Sequence, residues 1–550
     1  MQKSQASSTP ETSASPWSPL RQAVFRSIWI ATVASNVGTW MQSVGVGWLM
    51  TSLTPSPLMV ALMQTATSLP IFLLGLPAGT FSDLLDRRKL LLVTETWMLL
   101  VALVLGVLTL TGHMSAWILL ALTFLMGLGS AFDGPAWQAI VPELVERKDL
   151  PAAISLNATG FNVARALGPA LGGIVVALAG PAAVFLLNAV SFVFVLVAIY
   201  RWRRAPVVSN AHPEDMFGAT ISGMRYVRHA PALQAALVRI STFAIGASAL
   251  WALLPVVARH ELNLSAAGYG IILGSLGFGA VSSALLLPRL RNTIPVDKLT
   301  TLATLIFAGA TLALAYLRFV PLLVVCLLAG GMGWLAMMSS LTLAAQTASP
   351  AWVRARTMGI YLLVFSASMA AGSFGWGALA ERFGNATALP LAALVLVCGL
   401  ATTLRWPLHP IQQLDLTYSM HWTEPNIVIT PDPEDGPVLI MVEYRVPAER
   451  ANDFIQAMEA MRSFRYREGA IRWDLFRDLA DPDRYVENFI APSWAEHMRQ
   501  HERVTVADQA IEAHAFSFQQ LGFTQFATHL IVARAYDRQP PIEPPYSELS

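Results

Sequence analysis

Twelve long apolar runs constrain this chain more than any other feature of its sequence. The hydrocarbon core of a bilayer is about 30 Å thick, so a helix needs about 20 largely apolar residues to cross it. Only 13% of the 550 residues are charged, against about 25% in soluble domains. The sequence therefore predicts an α-helical polytopic membrane protein with twelve transmembrane helices, centred near residues 39, 68, 100, 125, 166, 190, 245, 278, 308, 334, 367 and 396.

Lys and Arg are distributed unequally between the loops on the two sides of these runs. Outside the runs, the N-terminus and the loops on its side hold 19 of them, whereas the opposite loops hold 3. Since cytoplasmic loops are enriched in Lys and Arg, both termini are expected in the cytoplasm. The polar first 20 residues have neither the basic start nor the apolar core of a signal peptide. The sequence thus predicts a multi-pass protein of the cell inner (plasma) membrane.

A split in net charge separates the membrane part from a water-exposed tail. Residues 1–410 hold 24 Lys and Arg against 13 Asp and Glu, whereas residues 411–550 hold 12 against 22. The longest internal loop divides the apolar runs six and six. We expect a disordered N-terminal segment (1–20), an N-terminal six-helix half (21–204), a cytoplasmic linker (205–232), a C-terminal six-helix half (233–410), a second linker (411–436) and a cytoplasmic domain (437–540).

The two halves are weakly alike. "LTPSPLMVALM" after the first run is similar to "LNLSAAGYGIIL" after the seventh, and a glycine cluster of the fifth run has a looser counterpart in the eleventh. Parallel repeats of six helices are a known transporter layout, with the substrate site near the midplane between the halves. The alternative is a chance likeness between apolar helices. The similar offset of 204 to 209 residues favours a repeat.

The stretch "GTFSDLLDRRK" between the second and third runs resembles the loop signature of the major facilitator superfamily. Gly79 allows two helices to approach closely. Asp83 lies at a helix end, where it can pair with a basic group or a helix N-terminus. Breaking that contact, with Arg87 and Arg88 nearby, would gate the cytoplasmic side. The alternative is that this loop is only a basic anchor on the cytoplasmic side.

The fifth run carries Gly168-Pro169, two residues, then Gly172-Gly173, which resembles a signature associated with exporters of this superfamily. Small residues four apart fall on one helix face and allow close helix packing. Pro169 lacks an N–H group and permits a bend where neighbouring helices satisfy the backbone. We interpret these four residues as a packing and bending motif.

The phrases "PELVERKDLPAAISLNATGFNVARALGPALGG" and "FLLNAVSF" resemble the transmembrane secretion effector branch of this superfamily. The resemblance implies a secondary transporter, not an enzyme, that exports a siderophore-, macrolide- or drug-like amphiphile by alternating access as a proton antiporter. The implied partners are a small-molecule substrate, protons and the lipid bilayer, with no nucleic acid and no cofactor. The alternatives are uptake or lipid transport, or a monooxygenase-like or sensor domain tethered to the membrane.

An arginine inside the fifth run is the most unusual polar residue of the membrane part. Arg165 lies about eleven residues into the run, or roughly 16 Å along a helix, near the midplane. Because a guanidinium binds anionic and oxygen-rich groups bidentately, Arg165 is a candidate substrate contact. The alternative is a structural pair with Asp133 or with helix-end carbonyls. Other candidate cavity residues are Asn36, Trp40, Gln42, Gln64, Asn162, Trp251 and Gln346.

Acidic residues are rare in the apolar runs, and charges inside a membrane are functional candidates by default. Glu95 and Asp133 are the candidate proton carriers, beside Asp83 and the substrate itself. The alternative for Asp133 is that it caps a loop helix in "GPAWQAIVPEL". The alternative for Glu95 is an interior acid in a structural pair.

The tail after residue 436 alternates between strand and helix patterns in the order strand, helix, strand, strand, helix, strand. That order predicts a ferredoxin-like α+β domain. The segment "SWAEHMRQHERVT" resembles small dimeric barrel domains related to antibiotic biosynthesis monooxygenases, which implies that the tail could dimerise. His497 and His501 have a spacing that is compatible with a metal. We interpret them as a solvated helix face, and predict no metal, because no third ligand is evident.

Overall fold

The computed structural model describes residues 17–203, 216–408, 414–422, 427–520 and 527–533, together with Ser15, Pro425, Gly522 and Phe523. It does not describe the side chains of residues 76, 80–84 and 216–220 within their helices. The chain forms two compact units. The first comprises Met1–Met216, Ala235–Gln346 and Met358–Gln412, and the second comprises Phe217–Gln234, Thr347–Thr357 and Gln413–Ser550.

Long helices build the first unit, and each predicted apolar run lies in one of them. In the N-terminal half these are α1 (Ala23–Leu53), α2 (Pro57–Leu84), α3 (Arg87–Leu110), α4 (Ala116–Leu144), α5 (Leu150–Ala179) and α6 (Pro181–Arg201). A shorter helix, α7 (Met216–His229), follows in the loop between the halves. The C-terminal half contains α8 (Pro231–Val256), α9 (Ala266–Thr293), α10 (Val296–Tyr316), α11 (Val320–Thr347), α12 (Arg354–Phe383), α13 (Asn385–Gly399) and the short α14 (Thr402–Arg405).

Eleven stretches of the described residues are long and apolar enough to cross a bilayer, and they cover α2–α6 and α8–α13. Helix α1 has 31 residues but is not among the eleven. Its apolar positions are interrupted by Asn36, Thr39, Gln42 and Ser43, which lower its hydropathy. The protein is therefore a polytopic helical membrane protein, and a role for α1 as a twelfth span stays a prediction.

Glycines let α5 approach two other helices at backbone distance. A Cβ atom on Gly172 would lie 2.8 Å from the Met41 Cα of α1, and one on Gly173 would lie 2.8 Å from the Gly270 Cα of α9. Real Cβ atoms essentially never come this close to a neighbour. A larger residue would therefore push α5 away from α1 in its own half and from α9 in the other half.

Helix α12, six apolar runs after α5, makes contacts that correspond to those of α5. A Cβ on Gly372 would lie 2.8 Å from the Ile245 carbonyl oxygen of α8, and one on Gly377 would meet the α2 backbone at 3.3 Å. Two left-handed glycines also correspond, since Gly180 (φ +79°) joins α5 to α6 and Gly384 (φ +83°) joins α12 to α13. These pairs have the offset that a parallel repeat of six helices requires.

The second unit contains a small α+β domain with a four-stranded antiparallel sheet. Its strands β1 (Val438–Arg445), β2 (Arg472–Arg477), β3 (Arg484–Ala491) and β4 (Ala527–Ile531) lie in the order β2-β3-β1-β4. The central strand β1 buries Val438, Ile440 and Val442, as its alternating pattern predicts. Helix α15 (Ala451–Glu468) follows β1, and α16 (Trp494–Arg503) and α17 (Val506–Phe516) precede β4.

Two loop segments of the membrane part belong to this second unit. The first contains α7, whose Tyr226 hydroxyl donates to the Ala348 carbonyl in the second segment at 2.9 Å. Arg225 pairs with Glu496 of α16 at 3.1 Å. The Arg503 guanidinium lies 4.1 Å from the ring centre of Trp352. These contacts join both loop segments to the α+β domain within one unit.

Candidate functional site

A cavity of about 430 Å³ lies between the two halves of the first unit. Its walls come from α1, α2, α4 and α5 of the N-terminal half and from α8, α9, α11 and α12 of the C-terminal half. The lining is mostly apolar and aromatic, with hydroxyl and amide groups from Thr39, Gln42, Ser43, Gln64, Thr67, Ser68, Thr123, Ser130 and Tyr269. Its volume falls within the roughly 300–1,000 Å³ of small-molecule sites.

Arg165 is the one charged residue among the described residues that line this cavity. It occupies the middle of the 30-residue helix α5. Its guanidinium carbon lies 5.7 Å from the ring centre of Trp40, 5.8 Å from that of Trp251 and 5.9 Å from that of Trp334. A cation at such distances from aromatic faces is stabilised by about 0.5–2 kcal/mol per ring.

Two buried N–H donors at this wall have no acceptor in the described part of the chain. They are the Nε atom of Arg165 and the Nε1 atom of Trp251. A buried donor without a partner costs about 1–3 kcal/mol. Asp133 accepts a hydrogen bond from Thr94 and makes no ion pair with Arg165 in the described part of the chain. The wall therefore presents a cation and two free donors to whatever fills the cavity.

Of the seven cavity residues predicted besides Arg165, four line it and three do not: Trp40, Gln42, Gln64 and Trp251 are in the lining, and Asn36, Asn162 and Gln346 are not. Gln42 lies at the wall and accepts a hydrogen bond from Asn188 at 2.8 Å. Gln64 also lines the cavity and donates to Ser68 at 3.2 Å. Asn36 and Asn162 are absent from the lining, and the Asn162 amide donates to the carbonyl of its own helix four residues earlier. The helical spacing of these residues could not show which face meets the cavity.

The predicted acidic residues form a buried cluster between α3 and α4, away from the cavity lining. Asp133 accepts from the Thr94 hydroxyl at 3.0 Å, and Glu95 accepts from the Trp137 indole at 3.3 Å. The second carboxyl oxygen of Glu95 is buried without a hydrogen bond. The interpretation of Asp133 as a cap of a separate loop helix is wrong, because α4 continues unbroken from Ala116 to Leu144 through Pro135.

The predicted gate lies at the junction of α2 and α3. The side chain of Asp83 lies outside the described residues, and a Cβ on Gly79 would meet nothing within 4 Å. Arg87 pairs with Glu143 of α4 at 2.8 Å. Arg88 donates to two backbone carbonyls at the end of α6, at 3.1 and 2.6 Å. The contact with Glu143 was not predicted, because Glu143 lies on α4, 56 residues from Arg87 in the sequence.

The predicted packing motif lies on the faces of α5 that meet α1 and α9. A Cβ on Gly168 would lie 3.1 Å from the Val37 carbonyl oxygen of α1. The carbonyl oxygen of Pro169 lies against Gly270 of α9, and Gly172 and Gly173 make the contacts described above. The motif thus lies directly beside Arg165, on the helix that both halves contact.

The second unit contains a buried arginine with two carboxylate partners. Arg465 bonds to Glu487 at 2.9 Å and to Glu512 at 3.0 Å, and none of the three is more than 4% exposed. Burial raises the pKa of Glu512, but hydrogen bonds from His421 and Trp422 and the charge of Arg465 bring that pKa below its ordinary value. This cluster was not predicted, since its members lie on α15, β3 and α17.

The prediction that the two histidines of α16 form a solvated helix face is wrong. His497 is buried and His501 is half-buried. A third histidine, His529 of β4, lies beside them. Burial lowers the pKa of His497 to about 3 and that of His501 to about 4, so both imidazoles are neutral at pH 7. His529 was not predicted as a third member, because only the folded structure brings β4 next to α16.

The long helices of the first unit thus pair with a six-run offset around a central cavity, an architecture known from membrane transporters. Solved structures agree with this fold. A nucleoside transporter, NupG, is similar with a TM-score of 0.56 at 12% identity, covering 70% of this chain and 98% of that one. A bacterial homologue of the human lysosomal transporter Spinster has a TM-score of 0.56 at 13% identity, covering 72% and 96%.

The chain belongs to the transmembrane secretion effector family, whose model matches residues 14–536. The multidrug efflux pump Tap of Mycolicibacterium fortuitum is 26% identical over 71% of this chain and 96% of the pump. The staphyloferrin A transporter of Staphylococcus aureus (strain NCTC 8325 / PS 47) is 24% identical over 54% of this chain and 74% of its own. The enterobactin exporter EntS of Salmonella typhi is 27% identical over 58% and 75%. This protein is thus a multi-pass inner-membrane transporter of an efflux family, and its relatives are transporters rather than enzymes.

Proposed function

We propose that this transporter exports a small amphiphilic molecule with an anionic or oxygen-rich group, by alternating access between its two halves. The observation that carries the proposal is Arg165, a cation among three indole rings in the cavity between the halves. Its relatives are named for a siderophore transporter, a siderophore exporter and a drug efflux pump. Such a wall can bind an amphiphile with one anionic end.

The unpartnered donors support an oxygen acceptor in the cargo. The buried Nε of Arg165 and Nε1 of Trp251 both lack a hydrogen bond in the described residues. A carboxylate, phosphate or catecholate oxygen would accept from both and would neutralise the guanidinium. The indole faces would contact the apolar or aromatic body of the same molecule.

The test is uptake into everted membrane vesicles energised with a proton gradient, using a labelled aromatic carboxylate, pyrenebutyrate, and its neutral primary amide. Arg165→Gln should reduce carboxylate transport about 10- to 100-fold, since a charge-assisted hydrogen bond contributes about 1.5–3 kcal/mol. Transport of the amide should change much less. Arg259→Gln is the matched control, because Arg259 also stacks on an indole, Trp48, but does not line the cavity. An equal loss for both compounds would mean that Arg165 is structural.

We propose that the proton carrier is the pair Glu95 and Asp133. Glu95 is 3% exposed, and Asp133 bonds to Thr94, the residue that precedes Glu95 in the chain. Two acids in one buried site cannot both be ionised without a large cost, so one proton is readily held there. Glu95→Gln should abolish accumulation that depends on a proton gradient while leaving exchange of internal for external substrate. Glu146→Gln, which removes an exposed acid just after α4, is the control.

We propose that the junction of α2 and α3 acts as the cytoplasmic gate, with Asp83, Arg87 and Arg88. Asp83→Ala should abolish vesicle uptake, because the gate would no longer close in one state of the cycle. Arg88 already bonds to the end of α6, which supports a contact across this side of the N-terminal half. Normal uptake by the Asp83→Ala variant would end the gate proposal.

We propose that the tail and both termini are cytoplasmic, as the Lys and Arg distribution predicts. The three segments of the second unit must share one side of the membrane. Four long helices, α8–α11, separate the first two segments, and two, α12 and α13, separate the second from the tail. An even number of membrane crossings returns the chain to the same side, so both counts are consistent with a second unit on one side of the membrane. Cysteine labelling at Ser419 and Thr111 from each side of the membrane tests it.

A further inference from the structure

Three histidines of the second unit bring their ring nitrogens together. His497 and His501 lie one turn apart on α16, and His529 comes from the neighbouring strand β4. One ligand nitrogen from each lies within 4.8 Å of the other two. The Nε2 atoms of His497 and His501 are 3.3 Å apart. Two nitrogens of a tetrahedral metal site with bonds of about 2.0–2.1 Å are separated by roughly 3.3 Å, so this pair already has the separation that one ion requires.

A second layer of side chains holds the imidazoles in this orientation. The Oε1 atom of the buried Gln500 lies 3.2 Å from the Nδ1 atom of His497. That contact assigns the Nδ1–H of His497 to the amide and leaves its Nε2 lone pair toward the other histidines. The ring of Trp422 lies edge-on to His501 with centroids 4.9 Å apart, and Trp494 contacts His497. These indoles pack against the imidazole rings and restrict their orientation.

The donor set indicates the kind of ion. Three neutral imidazole nitrogens suit first-row transition metals such as Zn²⁺, Ni²⁺, Cu²⁺ or Fe²⁺, and do not suit Mg²⁺ or Ca²⁺, which prefer oxygen. Arg465 contributes positive charge nearby, but Glu487 and Glu512 bind it directly and offset that charge. Three protein ligands leave a fourth position for water or a small ligand.

We propose that the second unit binds one first-row transition-metal ion through His497, His501 and His529. The fourth position is open to water or a small ligand. The three histidines belong to the second unit and the cavity to the first, and the metal site does not depend on which molecule the cavity carries. It gives the transporter a component that responds to the metal rather than to the cargo.

The test uses the full-length protein in detergent, purified with a tag that contains no histidine and titrated with Co²⁺ and Zn²⁺. Tetrahedral Co²⁺ should give strong visible absorption at one equivalent, and Zn²⁺ should displace it. His501→Gln and His529→Gln should each weaken binding at least about 100-fold, beyond the roughly 10- to 100-fold cost of changing an outer partner. Gln500→Ala should weaken binding by that smaller factor.

The matched control is His514→Gln, an exposed histidine on α17 in the same domain, which should bind Co²⁺ as the wild type does. Hydrogen exchange of β1 in the absence of metal shows whether each variant is folded. His529 is half-buried on an outer strand, so its substitution perturbs the core less than that of His497. Wild-type affinity in folded His501→Gln and His529→Gln variants, or no one-to-one Co²⁺ spectrum in the wild type, overturns the proposal.

Discussion

Two arginines, one in each unit, lie among aromatic rings. They differ in whether the described part of the protein supplies a carboxylate partner. Arg465 of the second unit lies 4.5 Å from the ring centre of Phe489 and is bound by two buried carboxylates. Arg165 of the first unit lies among three indoles, and no acidic residue lines its cavity among the described residues. Aromatic rings thus surround both cations, but the charge of Arg465 is neutralised by the protein and the charge of Arg165 is available to a ligand.

This contrast separates a structural charge from a ligand-binding one. Removing one partner of a buried ion pair leaves the other charges uncompensated, which is strongly destabilising. Removing a charge that has no partner within the protein leaves no opposite charge without its counterion. The two arginines should therefore respond in opposite ways to the same kind of substitution.

The largest effect is expected for Arg465→Met. The buried carboxylates of Glu487 and Glu512 would lose their cation, at a cost of about 3–5 kcal/mol in stability of the α+β domain. Hydrogen exchange of β1 and β3 in the full-length protein should accelerate by roughly two to four orders of magnitude. Arg462→Met, which removes an exposed arginine from the same helix, is the control and should change exchange little. Slow, unchanged exchange in the Arg465 variant would remove the contrast between the two sites.

The next effect is expected for Arg165→Met. Transport of an anionic substrate should fall about 10- to 100-fold, because the charge-assisted hydrogen bonds are lost. The thermal stability of the membrane unit should stay equal or rise, since an unpaired buried charge is replaced by an apolar group. Melting followed in detergent measures this second result. A large loss of stability would show that Arg165 has a structural partner after all.

A smaller effect is expected for Trp334→Leu, which removes one indole from the group around Arg165. An indole face in contact with an aromatic substrate contributes about 0.5–1.5 kcal/mol, so the apparent affinity for an anionic aromatic substrate should fall about 2- to 13-fold. Trp117→Leu is the control, because Trp117 is 68% exposed and does not line the cavity. Concentration-dependent vesicle uptake gives the affinity. If both variants behaved alike, the indoles would not belong to the site.

The smallest effect is expected for Glu143→Gln, which breaks the ion pair with Arg87. Both side chains retain some exposure, 14% and 27%, so the pair contributes less than about 1 kcal/mol. Melting of the full-length protein should therefore shift little, and uptake should change only a few-fold. Arg87→Gln should match it if the two act as a pair. A collapse of transport in Glu143→Gln alone would assign this acid a role in coupling.

Local signals in the sequence were sufficient for much of the fold. Apolar run length is a property of neighbouring residues, and it located the long helices. The alternation of Val438, Ile440 and Val442 likewise located the central strand of the tail. The exporter-like glycines of α5 could be identified because small residues four apart have a direct packing meaning.

Signals that depend on distant residues were missed. Trp40 and Trp251 were predicted for the cavity, but Trp334 and the grouping of all three indoles around Arg165 were not, because these residues come from α1, α8 and α11 and no spacing in the sequence relates them. His529 and the partners of Arg465 are likewise brought in by other elements of the fold. Which face of a polar helix meets a cavity is also a tertiary property, so Gln42 was placed correctly at the cavity and Asn162 was not. Proton coupling and dimerisation through the tail stay predictions.

The composite second unit has a consequence for how the protein is made. Tyr226 and His229 of α7 are synthesised some 240 residues before Tyr466, on which His229 stacks at 5.2 Å. At roughly 5–20 residues per second, that is about 12–48 s. Helices α8–α13 are translated and inserted in the meantime. The second unit can therefore close only after the last helix is in place, and its closure requires that insertion has left both loops and the tail in the same compartment.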